Sequence, residues 1–213
     1  MTTPKTTPGF ACPQEMWDQR FSTADYVFGE APNAFLAEQS HRLGSGHALA
    51  LADGEGRNSV WLAQHGFTVD AFDFSEPAVA KARALADKHK AQVNCQRSDW
   101  QSFDWKPAHY DLVAGIFFQF ATPDERAQIF EKIKQSLKPG GVLVIQGYGL
   151  DQLRHKTGGP AKIEHLYDEA LLRHAFDGFD VQVCETYEAT LTEGAGHSGI
   201  SQLVGFVARK PAS

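Results

Sequence analysis

Two glycines and one acid set the first chemical expectation for this chain of 213 residues. Gly54 and Gly56 stand in the run Ala52-Asp53-Gly54-Glu55-Gly56, directly after the apolar stretch His47–Ala52. Glycines at such a turn let the chain reverse tightly and let a ligand approach the backbone. Asp73 closes the next apolar stretch, 19 residues beyond Gly54, a spacing at which a carboxylate suits a ribose diol. Asp53 and Glu55 flank Gly54 and would repel a pyrophosphate, which favours the bare positive N-terminus of a helix. A nucleoside carrying an ammonium and a sulfonium would instead be attracted. The loop therefore reads as a site for a cationic nucleoside, against the plainer alternative of a glycine turn beside a surface acid.

A second group lies near the C-terminus, where Glu193 and His197 flank a glycine-containing turn. His197 suits a general base or a donor that orients a second substrate. It equally suits a residue that pins the turn to backbone. Phe117-Phe118-Gln119-Phe120 could wall a pocket or simply fill the core. Tyr148 and the Gly158-Gly159-Pro160 loop follow the fifth apolar stretch, and the loop reads as a mobile lid. The remaining histidines are scattered, with no pair at metal-ligand spacing beside a thiolate or carboxylate, so no metal is expected. Cys12, Cys95 and Cys184 form no Cys-x-x-Cys pair, which points to a reducing compartment rather than a disulfide framework.

These residues need elements to hold them. Residues 1–15, rich in Thr and Pro, read as a flexible tail, and residues 16–213 as one domain. Trp17–Phe21 could be a short amphipathic helix, and Pro32–Leu43 a second helix stopped by Gly44. From His47 the pattern alternates: strand 47–52, helix 57–65, strand 68–73, a helix from Ser75 to about His89, strand 92–97 and strand 110–117. Thr122-Pro123-Asp124-Glu125 has the cap, proline and returning glutamate of a helix start, and Lys138-Pro139-Gly140-Gly141 stops that helix before strand 142–146. A helix near 167–176 precedes two extended runs, 180–191 and 202–209, joined by a short turn that makes them antiparallel. The expected fold is α/β: a Rossmann-like, seven-stranded, mostly parallel sheet with a C-terminal antiparallel hairpin and helices on both faces. Because the first strand of the hairpin runs with the parallel set, its turn falls at the carboxyl edge, beside the glycine loop.

Composition narrows the partners. Twenty basic against twenty-six acidic residues leave a net charge of −6, which argues against nucleic acid or an anionic membrane as the main partner. No apolar run reaches the roughly 18 residues of a membrane span, and the N-terminus lacks a signal-peptide core, so a cytoplasmic location is expected.

The run Ala48–Asn58 resembles the first motif of class I S-adenosylmethionine (SAM) methyltransferases. Asp73-Phe74-Ser75 is similar to their ribose-binding position, Ser98-Asp99-Trp100 to their adenine-contacting segment, and Leu137–Gly141 to the turn before their fifth strand. Within that superfamily the chain resembles the small bacterial tellurite-resistance-type and thiopurine-methyltransferase-like proteins. Trp17–Phe21, Tyr26–Gly29 and Pro32-Asn33 resemble their N-terminal lid, and Thr157–Pro160 and Glu193–His197 recur there. The resemblance implies SAM as cofactor, held by Trp17, Tyr26, Asp53, Gly54, Gly56, Arg57, Asn58, Asp73, Phe74, Ser75, Asp99, Trp100, Gly115, Ile116 and Phe117. It implies His197 and Glu193 as catalytic residues, and Phe118, Tyr148 and Gly159 beside a small-molecule acceptor such as a thiol or chalcogen oxyanion. Ala50 and Ala52 depart from the pattern, which has an acid and a glycine there. That departure keeps a SAM-binding sensor or inactive homologue as an alternative. A nucleotide-dependent oxidoreductase is the weaker rival, opposed by the acidic loop and by Ser59 at the third glycine position. Oligomeric state is left open.

Overall fold

Short β-branched and aliphatic runs separated by capped helices can bury themselves only as strands covered on both sides. The computed structural model, which describes residues 13–194 and 196–212, has that form. Helix α1 (Pro13–Phe21) leads to an irregular strap and two short helices, α2 (Ala34–Glu38) and α3 (Ser40–Leu43). There follow β1 (Gly46–Leu51), α4 (Arg57–Gln64), β2 (Phe67–Asp73), α5 (Glu76–His89), β3 (Val93–Arg97), β4 (Tyr110–Ile116), α6 (Pro123–Ser136) and β5 (Leu137–Tyr148). The chain then forms α7 (Gln152–His155), α8 (Glu169–Ala175), β6 (Asp180–Glu193) and β7 (His197–Arg209). The segment expected as a tail falls outside the described residues up to residue 12, and α1 starts at Pro13.

The seven strands lie in the order β3-β2-β1-β4-β5-β7-β6. Strands β1 to β5 are parallel, and β7 is antiparallel to both β5 and β6. Strand β6 therefore runs with the parallel set, and the β6–β7 turn sits at the carboxyl edge as expected. Leu51 is in register with Phe72 on one side and Gly115 on the other, so β1, β2 and β4 end level with one another. That common edge is where an open α/β sheet binds ligands.

Alternation along β1 divides the core. Leu49 and Leu51 join Phe72, Val113, Phe103, Trp105, Phe130 and Ile133 on one face. Ala48 and Ala50 join Phe35, Leu62, Leu112 and Val144 on the other. Each such fully buried large side chain stabilises the fold by about 1.5–3 kcal/mol. Helix α6 has its capping box: the Thr122 hydroxyl accepts from the Glu125 amide, and the Glu125 carboxylate accepts from the Thr122 amide.

Three local expectations differ. The single helix over 32–43 is split at Gln39, whose ψ of 3° ends α2 and whose side chain accepts the Arg42 Nε–H at 3.0 Å. The turn expected at Lys138–Gly141 is part of a longer β5, because Leu137 already pairs with Tyr110 before a register shift. Ser75 occupies the cap position of α5, yet its hydroxyl makes no capping bond.

Candidate active site

Beyond Leu51 the backbone turns through Ala52, which adopts a left-handed φ of 48°. Gly56, at φ 92°, opens α4. A Cβ on Gly56 would stand 2.8 Å from the Ala82 Cα of α5, so only glycine lets the loop lie this close to the neighbouring helix. The loop is fastened to Asp73, whose Oδ2 accepts the Gly54 amide and whose Oδ1 accepts the Ser75 amide, each at 2.9 Å. Two backbone donors thus orient one carboxylate at the end of β2.

The acids under this loop are short of positive charge. Burial pushes the Asp73 carboxyl up to about 6, with nearby Asp18 adding to the rise and the backbone amides opposing it. Burial pushes Asp53 up to about 7 despite a hydrogen bond from the Ser59 hydroxyl. Asp53 Oδ1, Asp18 Oδ1 and the Ser75 hydroxyl are all buried without a hydrogen-bond partner among the described residues. Orphaned polar atoms cost about 1–3 kcal/mol each unless something pairs with them. A ligand offering a ribose diol and a cationic amino-acid end would pair with these groups, so the residues present fit the cofactor that the sequence suggests. Helix α1 covers them, with the Phe21 ring 3.6 Å from where a Gly54 Cβ would stand.

Several residues expected at the cofactor have protein partners of their own. Glu55 turns away from the ligand side: it accepts the Val27 amide at 2.8 Å and pairs with Lys81 Nζ at 2.7 Å, tying the strap to α5. The Tyr26 hydroxyl donates to the Lys81 carbonyl at 3.2 Å, so that side chain packs beside α5 rather than over the strand ends. Trp100 is buried in the core, and Phe118 is fully buried beneath the sheet edge against Phe130 and Tyr167. Asp99 remains exposed, with Oδ1 accepting the Gln101 and Ser102 amides. Arg57 and Asn58 point to the strap and the hairpin. Arg57 pairs with Glu193 at 2.8 Å, and Asn58 Oδ1 accepts the Asn33 amide at 2.9 Å. Trp17 stacks on Phe21 at 5.3 Å beneath the Arg20 guanidinium. Phe74 and Ser75 stay beside Asp73. Gly115 and Ile116 end β4 in the core, and Phe117 turns out of it at φ 55°.

The strap and the hairpin tip pack together around His197. Gly194 is at φ 63°, and a Cβ there would run into the Val27 carbonyl and come within 2.8 Å of the Gly29 nitrogen. His197 lies between Phe28 and Phe117, each ring centroid 4.3 Å away, with Tyr148 edge-on at 5.9 Å. Gly159 packs on the Tyr148 ring, and the Tyr148 hydroxyl is buried without a partner among the described residues. Arg20 donates to the Gly196 carbonyl at 3.3 Å and ties α1 to the hairpin tip. The expected pair is present: His197 Nδ1 is 3.2 Å from Glu193 Oε2. Sequence reasoning missed Asn33, which is wholly buried and donates to both Gln146 Oε1 and Glu193 Oε1. Its signals were the lid resemblance of Pro32-Asn33 and its place as a helix-capping residue, neither of which gave it a role in the site.

With this geometry in hand, known proteins can be compared. Residues 48–141, the segment carrying the glycine loop and Asp73, match the family described as a methyltransferase domain. Over that segment the chain is similar to methyltransferase domains. Among curated relatives, the carboxy-S-adenosyl-L-methionine synthase of Chromohalobacter salexigens is 29% identical over 116 residues, covering 52% of this chain and 42% of the relative. The chain spans about half the length of the curated relatives it matches, 42% to 51% for the first three. Among solved structures, TehB from Haemophilus influenzae has a TM-score of 0.70 at 17% identity, covering 92% of this chain and 66% of that one. A structure described for conversion of a disulfide bond into a thioacetal group during echinomycin biosynthesis has a TM-score of 0.75 at 16% identity, covering 94% and 92%. At these identities the structural likeness extends to the methyltransferase fold. Among the described residues, no helix is long and apolar enough to cross a membrane.

Proposed function

We propose that the chain transfers a methyl group from SAM to a small-molecule acceptor. The observation that carries this reading is the pair Asp53 and Asp73, buried under the glycine loop, Asp73 fastened to the Gly54 and Ser75 amides and Asp53 Oδ1 without a partner among the described residues, with burial pushing Asp73 up to about 6 and Asp53 up to about 7. In this reading Asp73 takes the ribose hydroxyls. Asp53, with its free Oδ1, takes the role that Ala50 cannot fill, because Ala50 is packed in the apolar face with Phe35 and Leu112. When bound, the cofactor supplies a methyl group on a sulfonium, an excellent leaving group, so the protein needs chiefly to align the acceptor and exclude water.

In this reading the cluster of Phe28, Phe117, Tyr148 and His197 is where the acceptor meets the cofactor. Its three aromatic rings exclude water, and the Tyr148 hydroxyl, with no partner among the described residues, offers the acceptor a donor. A soft nucleophile, a thiol or a chalcogen oxyanion, suits this lining. Methyl release from SAM, measured across thiol, selenite, tellurite and halide acceptors, tests the reading. Turnover with at least one acceptor supports it. Binding of SAM without turnover on any of them identifies a sensor instead.

A further inference from the structure

Glu193 is saturated as an acceptor. Its Oε1 receives Asn33 Nδ2 at 2.9 Å and the Ala34 amide at 3.4 Å, and its Oε2 receives Arg57 Nη2 at 2.8 Å and His197 Nδ1 at 3.2 Å. Burial would push this carboxyl up, but the His197 hydrogen bond and the Arg57 charge outweigh it and hold it down at about 2. An ionised carboxylate can only accept, so the proton between the two side chains belongs to Nδ1. A neutral imidazole has one N–H, which leaves Nε2 with a bare lone pair. Burial lowers the His197 imidazolium, Glu193 pulls it partly back, and Arg57 and Arg20 oppose it, so the ring is neutral at pH 7. The groups facing it are Glu193 from β6, Arg57 from α4, Arg20 from α1 and Tyr148 from β5. Nε2 has no hydrogen-bond partner among the described residues.

The orientation of Asn33 is itself determined. Its Oδ1 accepts the Leu36 amide at 3.0 Å as the cap of α2, so its Nδ2 must face Glu193 and Gln146. Gln146 is fixed in turn by donating Nε2 to the Tyr187 hydroxyl at 2.6 Å, which leaves Oε1 toward Asn33. A chain of donors with one consistent assignment sets where the last proton lies.

We infer that Asn33 and Arg57 are positioning residues that, through Glu193, hold His197 as the tautomer whose Nε2 takes up a proton, and that the methyl acceptor reaches His197 protonated, as a thiol or hydroxyl. This rests on the methyltransferase reading above. The acceptor's S–H or O–H bond breaks and its proton passes to Nε2. The electron pair left on sulfur or oxygen would form the bond to the methyl group as the methyl–sulfonium bond breaks, its electron pair leaving with the neutral thioether of the cofactor product. The imidazolium, with both nitrogens protonated and Nδ1 still on Glu193, then releases its proton to solvent. Glu193 stays ionised throughout and carries no proton.

Nitrogen-15 NMR of the His197 ring in the ligand-free protein tests this directly, with wild type compared to Asn33→Ser, which keeps a capping oxygen but removes the Nδ2 donor. The expected wild-type ring at pH 7 is neutral with its proton on Nδ1. Asn33→Ser is expected to raise the population protonated on Nε2 and to shift the acid limb of the kcat/KM profile for a thiol acceptor. A wild-type proton on Nε2, or a tautomer ratio unmoved by Asn33→Ser, overturns the inference. Should Asn33→Ser fail to fold, the wild-type spectrum decides alone. Because the ring is read without cofactor or acceptor, a failure of methyl transfer would sink the functional reading without touching the tautomer.

Discussion

Glu193 and His197 close the tip of the β6–β7 hairpin with a 3.2 Å contact between Oε2 and Nδ1, and the same carboxylate holds Arg57 at 2.8 Å. One side chain therefore joins the first residue of α4, next to the glycine loop, to the hairpin tip that carries His197. Replacing His197 by Ala is expected to lower kcat by about 10²–10⁴ for a protonated acceptor, the usual contribution of a positioned base. Cofactor affinity should change less than about twofold, because Asp73 and the glycine loop are untouched. Steady-state kinetics with a thiol checks this, and unchanged turnover would discard the role of His197.

Asp53 links stability to pH. Its carboxyl lies at about 7 and that of Asp73 at about 6, both raised by burial. A carboxyl raised in the fold binds its proton more tightly there than in the unfolded chain, so the ligand-free protein should gain stability as pH falls from 8 to 5. Asp53→Asn should flatten this profile and raise the melting temperature at pH 8 by about 2–8 °C, the equivalent of about 1–2 kcal/mol. It should also weaken SAM binding. Thermal unfolding at several pH values, with and without SAM, reads both effects.

Ala52 and Ala50 should answer oppositely to glycine. Ala52 stands at φ 48°, where a Cβ costs about 1–2 kcal/mol that glycine avoids. The greater freedom of glycine in the unfolded chain offsets about half of this, so Ala52→Gly should be neutral or stabilising. Ala50 lies within β1 on an apolar face, and Ala50→Gly should cost about 0.5–1 kcal/mol. Urea unfolding of the two variants measures the contrast.

Gly194→Ala should detach the strap. The added methyl meets the Val27 carbonyl and the Gly29 nitrogen at a left-handed φ of 63°, two penalties that together exceed about 2 kcal/mol. The expected signs are a lower melting temperature, faster proteolysis within residues 22–32 and a raised KM for the acceptor.

Much of the scaffold could be read from the sequence because it is written in local chemistry. The period-two and period-3.6 apolar patterns, the capping box at Thr122 and Glu125 and the glycine stop at Gly66 all act within a few residues. Strand β1, helix α4 and strand β2 accordingly begin or end within two residues of expectation. The site was legible where spacing alone defines it, as for Gly54, Gly56 and Asp73. It was not legible where the fold pairs distant charges. Glu55 looked like a ligand-facing acid, but Lys81 and the Val27 amide claim it. Arg57 looked like part of the cofactor motif, but a glutamate 136 residues away claims it. Asn33 carried no chemical signal until Gln146 and Glu193 were brought to it. Trp100 and Phe118 are aromatic at positions next to the site, and only packing tells that they face the core.

Calorimetric titration of S-adenosylhomocysteine into wild-type protein and Asp73→Ala tests the central claim most directly. The expected result is saturable binding at one site per chain in wild type. In Asp73→Ala it should weaken by roughly 10- to 100-fold, the loss of hydrogen bonds to a charged group worth about 1.5–3 kcal/mol. No binding to wild type at millimolar ligand, or equal binding to both proteins, would contradict the account.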